Sequence, residues 1–181
     1  MTYVATNIAT VPSEGYKWYL IFLVDHKMLG DPVRREIDDY FLELGRRAGE
    51  DALVVRGYDP NTFLESLYAH DAAWEERVQS PALLVTDKPP AAAGNPQSVD
   101  EARVILFPLR EIYDQEQTLA PFLTELIETL NEPEAIEALE KIEKRQQRKK
   151  WWGWLPYLEL KPNLWGFGVN FNRVIEDIKR R

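Results

Sequence analysis

Cysteine is absent from this chain of 181 residues. Its absence removes disulfides, thiolate nucleophiles, iron–sulfur clusters and cysteine zinc sites together, and nothing else in the composition asks for an oxidising compartment. Histidine is nearly missing as well, since His26 and His70 are the only two, and a histidine-rich metal centre is not expected. The longest apolar run, residues 18–24, falls far short of the roughly 20 residues that span a bilayer. The start of the chain lacks the basic flank and apolar stretch of a signal peptide, so a cytoplasmic location is the expectation. A glycine-rich phosphate loop, a G-x-S-x-G elbow, an H-E-x-x-H helix and an EF-hand loop are also missing. No motif therefore announces an enzyme, and neither a cofactor nor a metal is expected.

What is present suffices for a core: 45% of residues are hydrophobic and 12% aromatic, which at this length suits one domain with an appendage. The net charge of −8 is unevenly spread. From Lys141 onward there are 11 Lys/Arg against 4 Asp/Glu, whereas the preceding residues carry 11 against 26. An acidic body repels nucleic acid, while a basic end can draw an anionic partner.

Residues 17–24 form a continuous aromatic and β-branched run, which predicts a strand buried on both faces. Asp31 followed by Pro32 reads as an N-cap with proline in the first helical turn, and Val33, Ile37, Tyr40, Phe41 and Leu44 recur at helical spacing after it. A second strand over 51–55 ends in the turn-forming stretch 57–61, and Phe63, Leu64, Leu67 and Tyr68 mark a second helix. A third strand opens at Ser80-Pro81. A loop over 87–100, a fourth strand over 102–107 and an amphipathic helix through Leu119, Phe122, Leu126 and Leu130 complete the α/β body.

The expected organisation is a flexible N-terminus over 1–16, an α/β domain over 17–130 and a basic, aromatic C-terminal extension over 131–181 that packs on or beside the core. In the extension the pattern predicts a largely solvated helix over 134–150, a hairpin-like pair over 157–171, and a short last helix capped by Asn172.

This order, β-α-β-α-β-β-α with a proline opening the third strand, resembles the thioredoxin-like fold over residues 17–130. Phe22-Leu23-Val24-Asp25 is similar to the first core strand of that family, which ends in a buried aspartate. Ser80-Pro81 sits where the family has its cis-proline, so Pro81 is expected in a structural role. Gly30-Asp31-Pro32-Val33 falls where the family carries Cys-Gly-Pro-Cys. Only the proline matches there, so the resemblance implies the fold without the redox activity.

Candidate chemistry is sparse. Asp25, Asp59 and Asp87 each follow a predicted strand. In a fully parallel sheet their carboxylates would gather where Mg²⁺ and phosphate bind, with Lys27 or Lys88 beside them. That arrangement defines an enzymatic alternative, a Mg²⁺-dependent phosphoryl-transfer or nuclease-type site built on Asp25 and Asp59. The plainer reading is local capping, for which aspartate is favoured after strands. In a thioredoxin-like sheet, moreover, the third strand is reversed and Asp87 falls at the opposite end. His26, next to Asp25, reads as a general base or as an ordinary loop residue.

The most unusual stretch is Arg148-Lys149-Lys150-Trp151-Trp152-Gly153-Trp154. Four of the six tryptophans lie between Trp151 and Trp165. Tryptophan is favoured at protein interfaces and at lipid headgroups, and flanking cations suit both uses. Arg148, Lys149, Lys150, Trp151, Trp152 and Trp154 are therefore the expected partner-binding residues. The expected partner is another protein, with a membrane surface as the alternative and packing of the rings back onto the fold as the plainer reading. The leading expectation is a non-catalytic interaction or adaptor module.

Overall fold

The structure, a computed structural model, describes residues 1–13, 15–28, 30–70, 74–75, 78–89 and 104–154, with the side chains of 26, 70 and 147–154 left out of the description. The chain divides into two compact units, Met1–Lys150 and Trp151–Arg181. The first is a mixed α/β unit built on a five-stranded sheet in the order β1-β3-β2-β4-β5. Its strands are β1 (Thr2–Ala5), β2 (Trp18–Leu23), β3 (Ala52–Gly57), β4 (Ala82–Thr86) and β5 (Val104–Pro108). β1, β3 and β2 run parallel, whereas β4 is antiparallel to β2 and β5 antiparallel to β4.

β2 is buried at every position, as a continuous apolar run requires of a central strand. Trp18, Leu20 and Phe22 enter one core, while Tyr19, Ile21 and Leu23 enter the other. The larger core lies under α1 (Pro32–Arg47), α3 (Leu109–Glu116), α4 (Ala120–Leu130) and α5 (Ala135–Trp154). The smaller lies under α2 (Pro60–His70) and a 3₁₀ turn at Ile8–Thr10. α1 begins as its sequence predicts: Asp31 is the N-cap, accepting the Val33 N–H at 2.8 Å, with proline in the first turn. The N-cap of α4, Leu119, has no side chain that can cap. Glu36 on α1 supplies one, accepting the Leu119 N–H at 2.6 Å and the Thr118 hydroxyl at 3.0 Å.

Three expectations are corrected. Residues 1–16 are not a loose lead-in, because 2–5 form the edge strand β1 against β3. Asn7 caps the following turn, and the Ile8 N–H donates to Ser66 Oγ at 2.9 Å. Four residues are too few to show a period, so β1 owes its strand to pairing. The helix expected to be largely solvated is buried along one side. Ala135, Leu139 and Ile142 are 3, 0 and 5% exposed in the larger core, a stripe at helical spacing, and the division between the two units falls after Lys150 rather than after Leu130. The helix also continues to Trp154, past the expected end at Lys150. Finally, residues 109–116 form α3, with Leu109 and Ile112 buried, between the fourth strand and the helix expected after it. The expected hairpin over 157–171 and the last helix from Asn172 lie outside the described residues.

Candidate functional site

Asp25 and Asp59 follow the carboxyl ends of two adjacent parallel strands: Phe22 on β2 is opposite Arg56 on β3, so the two aspartates continue side by side. Asp87 follows β4, whose end at Thr86 lies beside Tyr19 near the start of β2. The three carboxylates therefore do not converge.

The two that share an end are both engaged in local backbone capping. Asp25 Oδ1 accepts the Lys27 N–H at 2.9 Å, and Asp59 Oδ1 accepts the Thr62 N–H at 2.8 Å at the start of α2. This is the turn-and-cap chemistry for which short carboxylates are favoured. Among the described residues no group of three or more His, Asp or Glu could hold a metal ion. The side chains of His26 and His70 lie outside the description.

Around Asp25 the chain is tied to the start of β4. The Asp25 N–H donates to Ser80 Oγ at 2.9 Å, Ser80 Oγ lies 3.9 Å from Met28 Sδ, and the Ser80–Pro81 peptide bond is cis. Pro81 O in turn accepts the Leu109 N–H at 2.9 Å, joining this loop to α3. Across the sheet, burial raises the Tyr68 phenol above its ordinary pKa, and the negative charges of Glu75 and Asp25 add to the rise.

The N-terminus of α1 lies next to this loop. Gly30 is left-handed at φ +83, a conformation glycine adopts without strain. Val33 is completely buried in the larger core. Asp31 closes the helix end: Oδ1 caps Val33, and Oδ2 is paired with Arg110 from α3. Burial pushes the Asp31 carboxyl up. The Arg110 guanidinium and the N–H groups of Val33 and Arg34 outweigh that and hold it below the usual carboxylate range. An anion is thus already seated at the positive helix end, and it belongs to the chain itself.

A second polar cluster lies at the other side of α1. Arg34 and Arg56 both face Asp38, with Arg56 Nη1 at 2.5 Å from Oδ1 and Arg34 Nε at 3.8 Å from Oδ2. Arg56 also lies over the Phe41 ring, 4.6 Å from its centre. Arg34, Asp38 and Arg56 line a cavity of about 260 Å³ with Val4, Phe22, Ile37, Tyr58 and Phe63. Sequence reasoning missed this cluster, because Arg34 and Asp38 are ordinary helix-surface residues until β1 and β3 are laid beside them.

The expected partner-binding residues Arg148, Lys149, Lys150, Trp151, Trp152 and Trp154 have a helical backbone as the end of α5, and their side chains lie outside the described residues. No described helix is long and apolar enough to cross a membrane. Compared with known protein families, with curated proteins and with solved structures, the chain matches none.

Proposed function

We propose that this chain is a non-catalytic interaction or adaptor module, a redox-inactive thioredoxin-like domain that docks a partner protein through its basic, aromatic C-terminal segment. The thioredoxin-like part of the reading is supported by the strand order, with β4 reversed against β2, and by proline at the opening of β4. The C-terminal part is supported by composition, since tryptophans interleaved with lysine and arginine make efficient anchors.

The observation that carries the non-catalytic reading is the N-terminus of α1. A thiol site or an anion-activating site needs that helix end open. Here glycine and valine stand at the two thiol positions, and the helix end is filled by the Asp31 carboxylate in its pair with Arg110.

The test is site-specific photo-cross-linking from position 152 in living cells. A discrete adduct with one protein, lost on Lys149→Glu with Lys150→Glu, is the expected result. Absence of any protein adduct, together with sedimentation on anionic liposomes at low salt, would replace the reading with peripheral membrane binding. Mg²⁺-dependent phosphoesterase activity abolished by Asp25→Asn would replace it with the enzymatic one.

A further inference from the structure

β1 is an edge strand, and no described strand pairs with its outer side. Val54 N–H donates to Met1 O at 2.8 Å and Tyr58 N–H donates to Ala5 O at 2.7 Å. Successive residues of a strand alternate in direction, so Thr2 and Val4 turn their backbone N–H and C=O away from β3, to the free edge. The strand Thr-Tyr-Val-Ala carries no charge and no proline, the devices by which edges are usually guarded. β5, the opposite edge, at least ends in Pro108.

The exposed apolar surface gathers at this same edge. Among the described residues the exposed large hydrophobics are Met1 at 57%, Val4 at 44%, Leu42 at 67% and Tyr58 at 79%. Met1 and Val4 belong to the edge itself, and Tyr58 is bonded to its last residue. Leu42 lies on the flank of α1 that meets β1, one turn after Asp38 and one turn before Arg46, next to Gly45, whose Cα approaches Thr2 closely enough that an added Cβ would sit 2.2 Å from Thr2 Cγ2. Scattered single hydrophobics need no explanation, but four around one unguarded edge mark an interaction surface.

The cavity beside the edge says what the partner would carry. At about 260 Å³ it is below the roughly 300 Å³ at which small-molecule pockets begin, and it suits one side chain. Val4 forms one wall, so a strand added along β1 would lay alternate side chains over it. Its charged groups are two guanidiniums against one carboxylate. The better-placed pair is Arg56–Asp38, which among the described residues leaves Arg34 with only the 3.8 Å contact through Nε. That guanidinium has only 23% of its side chain exposed, and its donor fork can take a carboxylate in two parallel hydrogen bonds.

We infer that the free edge of β1 takes up an extended segment of a partner protein as an added strand, with an acidic side chain of that segment held by Arg34 and Arg56 in the cavity. This rests on the reading of the chain as an interaction module and assigns it a second docking surface, on the Met1–Lys150 unit. Main-chain hydrogen bonds to Thr2 and Val4 supply affinity whatever the sequence of the segment, and the cavity selects for the acid.

The experiment is an NMR titration of the isotope-labelled full chain with a short capped peptide that alternates valine and threonine around a central glutamate, beside the same peptide with glutamine. Expected are saturable shifts of the Thr2 and Val4 amides and of the Arg34 side chain, with the glutamine peptide about tenfold weaker, as befits loss of a charge-assisted bond. Arg34→Gln should shrink the difference between the two peptides to about twofold, the remainder being owed to Arg56. Val4→Pro, which blocks an outward N–H and takes nothing from the β1–β3 ladder, should abolish binding of both.

Were Val4→Pro to unfold, Arg34→Gln would still decide, because a 3.8 Å ion pair to a carboxylate that is 47% exposed contributes little to stability. Equal affinities of the parent chain for the two peptides, shifts that leave the edge amides unmoved, or self-association that protects those amides before any peptide is added would each overturn the inference, the last by making a second copy the occupant. Replacing Trp151, Trp152 and Trp154 with alanine should leave the titration unchanged, so failure here and failure of the C-terminal docking reading are separate results.

Discussion

At the N-terminal end of α1, polar groups meet partners within the chain: Asp31 caps the helix and pairs with Arg110, and the Asp25 N–H is bonded to Ser80. At the free edge of β1 the matching is incomplete. Thr2 and Val4 face outward, Arg34 has one loose contact, and exposed Val4 and Tyr58 flank a cavity. A resemblance to the thioredoxin-like fold directs attention to the helix end. The physical inventory directs it to the edge, because binding capacity resides where hydrogen bonds and apolar area are left over, and a helix end filled by its own carboxylate has none to offer.

The strongest test of the contrast is to detach the edge. Gly45 packs so closely on β1 that any side chain would strike Thr2. Gly45→Val should lower stability by about 1–3 kcal/mol, the usual scale of overpacking, read by denaturant unfolding. Hydrogen-exchange protection at the β3 amides that bond to β1 should be lost before that of β2. Unchanged stability would mean that β1 does not pack on α1 as described, and the edge would then not be a surface.

Loss of the closed helix end should cost less. Asp31→Ala removes both the cap and the partner of Arg110, and should destabilise by about 1–2 kcal/mol, whereas Asp31→Asn keeps a cap and should cost less than half of that. If the two substitutions proved equal, the charge rather than the cap would be holding the helix end.

The same carboxylate gives a pH dependence of definite sign. Its folded pKa is held below the value it has in the unfolded chain, so the folded state takes up the proton less readily. The stability it contributes is complete above the unfolded value, about pH 3.9, and drains away as pH falls through the folded one. Stability of the parent chain should therefore fall below about pH 4 more steeply than that of Asp31→Asn. Arg110→Gln should move the Asp31 titration, followed by NMR, back up towards the ordinary carboxylate value. Curves that stay parallel down to the acid limit would exclude the pair with Arg110.

Much of the fold was legible. β2, α1, β3, α2 and β4 were readable because each had a long apolar period, a cap or a proline at its boundary, as at Asp31-Pro32 and Ser80-Pro81. β1 was not, since four residues carry no period and its strand exists only through pairing with β3. The inner stripe of α5 was visible as Ile136, Leu139 and Ile142, but three apolar positions in a charged helix read as solvated until α4 and the larger core close over Leu139. The candidate edge site was illegible for the same reason as β1: Val4, Arg34, Asp38, Arg56 and Tyr58 come from three separate elements and the loop after β3, and no spacing in the sequence links them. Local signals predict local structure, and a site assembled across a sheet edge has none.

The smallest expected effect concerns the face of β2 away from α1. Tyr19 is 1% exposed, its hydroxyl has no hydrogen-bond partner among the described residues, and burial, with a smaller contribution from Tyr16, raises its pKa above the ordinary phenol value. A buried hydroxyl without a partner costs its desolvation and returns nothing. The ring itself packs edge-on to Tyr16 at 6.1 Å, a contact that does not need the hydroxyl. Tyr19→Phe should therefore leave stability unchanged or raise it by up to about 1 kcal/mol, against the loss that removing a bonded hydroxyl brings. A loss of that size would show that the hydroxyl is bonded to a residue outside the described set. This part of the smaller core would then be as fully matched as the end of α1.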